Sequence, residues 1–329
     1  MPVGLVVGGL LAACAGAATR PPSTRAGLVP TDTVTEQVAA TEPVEYLAAG
    51  GHERIVTLDG QKRRWMTIVP PSDAGAPATG AVIVLHGVGG RGPDMRPTVA
   101  LEPLASPEGV VLVFPDAVGG AWNDGRPGAD AVVAGVTVDD VRFLRLVIEE
   151  TVARTGAPPA RVAVVGFSAG AVMASRLACD AADRVSAMVL VGGSAGQGFQ
   201  DSCRPARPVA TMLVAGSADP TVPYGGGRVA DWGTRKRGFV APVEDVFAFW
   251  SAQGGCGPVT LQAALGPAAV VSEARAAGCR AGTAVVRVKV NGGGHEWFRD
   301  PRFDTTGAAW QFVWSRFATA TAVPATPTE

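Results

Sequence analysis

Between residues 161 and 180 the chain passes from an apolar stretch, Arg161-Val-Ala-Val-Val-Gly166, through Gly166-Phe167-Ser168-Ala169-Gly170, into a run of small residues ending near Asp180. An apolar stretch without polar alternation reads as a strand buried on both faces. The small residues read as a helix laid close behind it. A strand that becomes a helix within so few residues, with glycine on either side of a serine, strains the serine backbone and lifts its hydroxyl above the end of a sheet. The same turn puts Ser168 at a helix N-terminus, where free N–H groups and the helix dipole favour developing negative charge. Such a strand and helix need a parallel sheet around them.

The rest of the chain supplies one. Residues 54–58 and 64–69 read as a β-hairpin turning at Asp59-Gly60. Apolar runs at 81–86, 110–115, 185–191, 209–214 and 284–290 read as further strands. Helical spacing marks 138–154, where Val141, Leu144, Val147, Ile148 and Val152 share a face, and helices are also expected over 169–180, 243–253 and 308–317. Asp139 and Asp140 open the first of these, where carboxylates suit a helix N-terminus, and read as structural. The expectation is an α/β chain with a mostly parallel central sheet of about eight strands and helices on both faces. Hydrophobic residues make up 47% of the 329 residues and charged residues 17%, enough for a large buried core. The net charge of -1 argues against a nucleic-acid partner.

A serine hydroxyl needs a base, and only three histidines are present. His52 precedes the hairpin. His86 ends a strand in His86-Gly87-Val88-Gly89-Gly90. His295 remains, in Asn291-Gly-Gly-Gly-His295-Glu-Trp297, directly after the last strand. The acid that orients it is expected after the preceding strand, which leads into Ser217-Ala218-Asp219-Pro220 and selects Asp219; Asp231 and Asp245 are rivals in the following loop and helix. The glycines after His86 leave main-chain N–H groups unobstructed, so the oxyanion donors are expected to be the amides of Val88 and Ala169, with Gly89 as the alternative to Val88. The order serine, acid, histidine is that of the α/β-hydrolase fold.

These segments together resemble the extracellular polyhydroxybutyrate depolymerase and feruloyl esterase group of carbohydrate esterase family one. The resemblance rests on Leu85-His-Gly-Val-Gly-Gly90, Trp122-Asn-Asp-Gly125, Val138-Asp-Asp-Val141, Gly166-Phe-Ser-Ala-Gly170, Gly216-Ser-Ala-Asp-Pro-Thr-Val-Pro-Tyr224 and Gly294-His-Glu-Trp297, and covers about residues 52–317. It implies a serine esterase with Ser168, Asp219 and His295 as its triad, acting on a small or polymeric ester without cofactor or metal. Val88 stands where the family usually has cysteine. The resemblance also suggests that Trp122 and Asn123 border the substrate pocket, with His86 and Trp297 as further candidates for its wall. An acyltransferase of the cell envelope would use the same triad, and a non-catalytic envelope binding protein could keep the same fold.

The N-terminus bears on location. Residues 1–13 read as the apolar region of a signal peptide, too short to span a bilayer. Leu11-Ala12-Ala13-Cys14 resembles a bacterial lipobox, making Cys14 the expected lipidation site and 14–50 a tether rich in Ala, Thr and Pro. The catalytic domain is expected over 51–318, followed by a disordered tail over 319–329. The expected product is an extracytoplasmic monomer touching the membrane only through its lipid. Cys179, Cys203, Cys256 and Cys279 then remain, an even number that suggests two disulfides in an exported protein. Three connectivities are open. The closest in sequence, Cys179–Cys203 and Cys256–Cys279, closes two loops of similar length. No spacing typical of a structural zinc site occurs.

Overall fold

Alternating residues of the central strands feed two different cores, which places the sheet before any helix is considered. Ile83 and Leu85 join one apolar cluster, while Val82 and Val84 between them join another on the opposite face. Each of these side chains is at most 1% exposed. A strand with both faces buried needs helices above and below it. The computed structural model describes residues 46–320, apart from 73–75, 131, 134–135, 232, 266–269 and 281. The expected signal peptide, Cys14, most of the tether and residues 321–329 lie outside the described residues.

Ten strands form the main sheet. In chain order they are β1 (Gly50–Leu58), β2 (Gln61–Val69), β3 (Gly80–Leu85), β4 (Val110–Pro115), β5 (Val162–Phe167), β6 (Ala187–Val191), β7 (Ala210–Gly216), β8 (Val259–Leu265), β9 (Val271–Ala276) and β10 (Val285–Val290). Their spatial order is β1-β2-β4-β3-β5-β6-β7-β10-β9-β8. From β4 to β10 all neighbours are parallel. An antiparallel hairpin closes each edge.

The expectation of about eight strands missed the hairpin β8–β9. Its strands, Val-Thr-Leu-Gln-Ala-Ala-Leu and Val-Ser-Glu-Ala-Arg-Ala, are rich in residues of low strand propensity. Pairing with the edge of β10 overrides that preference. The disulfide Cys256–Cys279 clamps the open end of this hairpin, and Cys179–Cys203 is also bonded. At the end of the expected tether the Leu47 amide donates to the Arg154 carbonyl at 2.8 Å, and β1 begins at Gly50.

Among the described residues the four long helices, which cover the sheet, are α1 (Asp140–Thr155), α2 (Ala169–Asp180), α3 (Val243–Gln253) and α4 (Thr305–Ala320). The last runs to Ala320 and so takes in the start of the expected tail. The carboxylate of Asp139 caps α1 by accepting from the Arg142 amide at 2.9 Å, and Gly156 ends the helix in a left-handed conformation. Asp140 does more than favour a helix start. Its buried carboxylate accepts from Arg63 Nη2 at 2.5 Å and from the Asn123 amide at 2.7 Å.

Helix α2 lies against β3 and β5 because Ala169, Gly170, Ala171, Ala174 and Ala178 on its buried side are small. A Cβ on Gly170 would fall 2.2 Å from the Leu85 carbonyl oxygen, and one on Gly166 would fall 2.2 Å from the Gly170 carbonyl. Both obstacles are backbone, which cannot swing aside. We expect Gly170→Ala to cost more than about 4 kcal/mol, the range reserved for severe structural conflicts. Chemical denaturation would measure it. A variant within 1 kcal/mol of wild type would show that helix and strand are not held this closely.

Candidate active site

Ser168 sits between β5 and α2 with φ 57° and ψ −120°, a conformation that L-residues rarely adopt. Its amide donates to the Val191 carbonyl at 2.8 Å, and its own carbonyl accepts from the Ala171 and Val172 amides. These bonds hold the strained turn and aim the hydroxyl outward from the parallel strand ends.

The strand ends bring the other two members in. Past β7, Asp219 directs Oδ1 at the amides of Thr221 (2.7 Å) and Val222 (2.8 Å), which lock its carboxylate plane. Its Oδ2 is left for His295, whose Nδ1 donates to it at 2.7 Å. A carboxylate can only accept, so Nδ1 carries the proton and Nε2 is the acceptor for Ser168 Oγ at 2.9 Å. The loops carrying Asp219 and His295 are tied together: Ser217 donates to Val290, Ala218 to Gly293, and a Cβ on Gly216 would lie 2.3 Å from the Gly293 carbonyl. The ring of Phe167 stacks on His295 with centroids 5.2 Å apart. The rivals are elsewhere. Asp231 pairs with Arg228 at 2.5 Å, and Asp245 is exposed in the first turn of α3.

Gly87 lies directly beside the serine, for a Cβ there would come 3.2 Å from Ser168 Cβ. Of the amides at 88, 89 and 90, Gly89 donates to Gly120 at 2.7 Å and Gly90 to Gly87 at 3.1 Å. That leaves Val88 as the loop amide with no backbone acceptor among the described residues. Ala169, the first residue of α2, presents the second amide of the expected pair.

Four residues expected at the pocket wall have other occupations. His86 is 1% exposed. Its Nε2 accepts from the Ala117 amide at 3.0 Å, so Nδ1 carries the proton and donates to the Gly87 carbonyl at 2.7 Å. Burial holds its pKa below the usual histidine value, which keeps the ring neutral for this role. Trp122 is buried against that ring and donates its indole N–H to the His86 carbonyl at 2.9 Å. Asn123 donates from its side chain to the Val138 carbonyl at 2.7 Å and accepts from Arg176. Trp297 is buried, donates to Thr306 at 3.0 Å, and meets Phe167 edge-on behind His295. Their polar atoms are spent on internal bonds. They brace the loops that carry the site.

The sequence reading passed over Arg237, Arg126 and Asp124. Arg237 Nη2 lies 3.4 Å from Ser168 Oγ, and Arg126 pairs with Asp124 at 2.7 Å nearby, all three side chains being buried. Arg237 falls in a loop of Gly, Arg and Lys whose composition suggests only solvent exposure. It reaches the site because residues 227–228 and 239–240 pair and residue 237 bridges to Ala129. No group of three or more His, Cys, Asp or Glu is placed to hold a metal ion among the described residues.

A family profile described as the alpha/beta hydrolase fold matches residues 80–246. NocK of Nocardia uniformis subsp. tsuyamanensis, a protein named for esterase activity, is 31% identical over 307 residues, covering 87% of this chain and 86% of its own. The chain belongs to the α/β-hydrolase family. Feruloyl esterase B of Piromyces equi is 27% identical to this hydrolase over 239 residues, which is 71% of the hydrolase but 42% of the Piromyces protein. An acetyl xylan esterase from Aspergillus awamori superposes with a TM-score of 0.53 at 14% identity, over 79% of the hydrolase and 99% of the esterase. At that identity the likeness is one of fold.

Proposed function

We propose that this hydrolase is a secreted serine esterase, cleaving carboxylic esters through an acyl-enzyme on Ser168. The observation that carries the reading is the continuous chain of bonds from Asp219 through His295 to the strained serine. Ser168 Oγ attacks the ester carbonyl as its proton passes to His295 Nε2, and the developing oxyanion lies between the amides of Val88 and Ala169. The imidazolium, held by Asp219, returns the proton to the departing alcohol oxygen. Water then repeats the sequence: it attacks the acyl carbon, gives its proton to His295, and the acid leaves as Oγ is reprotonated.

The substrate class rests on the relatives. The names of NocK and feruloyl esterase B both point to esters, and the six sequence segments point to the polyhydroxybutyrate depolymerase and feruloyl esterase group. A hydroxycinnamoyl or acetyl ester of a sugar is the proposed substrate. Export is supported by the two disulfides, with Cys14 the proposed lipid anchor. No helix among the described residues is long and apolar enough to cross a membrane.

The test is a panel of feruloyl, acetyl and hydroxybutyrate esters compared by kcat/KM, run with and without a sugar acceptor. Release of free acid on the feruloyl or acetyl esters is expected. Acyl transfer to the sugar in preference to water would replace the esterase with a transferase. No turnover, together with no labelling by a fluorophosphonate, would leave a binding protein.

A further inference from the structure

Resting on the esterase reading, we infer that Arg237 makes this site favour, among the sugar esters proposed above, those that carry a carboxylate within a few bonds of the scissile carbonyl. Its side chain belongs to a residue only 7% exposed, yet no carboxylate lies within ion-pair distance of it among the described residues. Arg126, its buried neighbour, takes Asp124. Asp219 is committed to His295, and Asp231 to Arg228. The recorded bond of Arg237 Nη2 is the long one, 3.4 Å, to Ser168 Oγ, and its buried Nε has no partner at all among the described residues.

A buried cation without a counter-ion is costly, because the charge has left water and gained no partner in return. Burial and the charge of Arg126 both push its pKa down, while Asp124, Asp219 and Asp231 pull it up from a distance. Guanidinium remains charged under such conditions, so the protein does not escape the cost by neutralising it. Its Nη2, 3.4 Å from Ser168 Oγ, instead stands beside the atom that a bound ester must approach. A carboxylate there accepts a charge-assisted N–H bond from Nη2. The same contact would register the ester carbonyl over Oγ.

The experiment compares each anionic ester with its neutral methyl-ester counterpart, on both sides of the scissile bond. For the acyl side the pair is p-nitrophenyl hemisuccinate and p-nitrophenyl methyl succinate. For the alcohol side it is 3-acetoxybenzoate and methyl 3-acetoxybenzoate. Wild-type enzyme should favour the anionic member in at least one pair by roughly 10- to 100-fold in kcat/KM, the worth of one charge-assisted hydrogen bond. Arg237→Met should bring that ratio to about one, and Arg237→Lys should leave an intermediate ratio. Circular dichroism and thermal melting confirm that the variants fold. A wild-type ratio near one in both pairs, or an equal loss on anionic and neutral members in Arg237→Met, overturns the inference and leaves the esterase reading intact. No hydrolysis of any of the four esters, with Ser168 unlabelled by fluorophosphonate, overturns both.

Discussion

Ser168→Ala should reduce kcat on any ester the enzyme hydrolyses by about 10⁶, the scale of a nucleophile knockout in a hydrolase triad. The loss is this large because the three groups act as one relay, and His295 Nε2 has no other proton to accept. The fold should survive. The hydroxyl donates to His295 and receives only the long bond from Arg237, so no packed core atom is removed. Alanine meets the same positive φ that serine already tolerates, which keeps the stability change within about 1 kcal/mol. The measurement pairs steady-state kinetics with fluorophosphonate labelling and a melting curve. Activity within tenfold of wild type in a folded variant would remove Ser168 from the reaction.

Asp219→Asn should cost about 10⁴ in kcat while sparing the fold, as the corresponding change does in a serine protease. The reason can be followed atom by atom. The amides of Thr221 and Val222 both donate to Oδ1, so the asparagine must turn its carbonyl oxygen toward them. Its NH₂ group then faces His295 Nδ1. A donor there makes Nδ1 the acceptor and moves the ring proton to Nε2, where it meets Ser168 instead of receiving a proton from it. Asp231→Asn should change kcat by less than threefold, since its partner is Arg228 on the surface. If the Asp231 variant lost more activity than the Asp219 variant, the assignment of the acid would fall.

The fold was legible where the buried strands leave no polar alternation, and helix α2 could be bounded from its small residues alone. The edge hairpin was hidden by its alanines, glutamate and arginine, which form strands only because β10 offers a free edge. At the site, Ser168, Asp219 and His295 follow from chain order, since a parallel sheet delivers its functional loops to one end. The bracing roles of His86, Trp122 and Trp297 do not follow, because a residue next to a motif and one facing the substrate look the same in a sequence. Arg237 was invisible for the opposite reason. Its neighbours in sequence describe a loop, and only the bridge to Ala129 carries it inward.

His295 lies 127 residues beyond Ser168, and its loop follows β10, the last strand of the sheet to be made. That strand does not add to an outer edge. It pairs with β7, placing the earlier hairpin β8–β9 outside it. A chain that has not yet been made as far as β10 therefore holds Ser168 without His295 beside it. The unbroken line of bonds from Asp219 through His295 to Ser168 waits on the last strand of the main sheet.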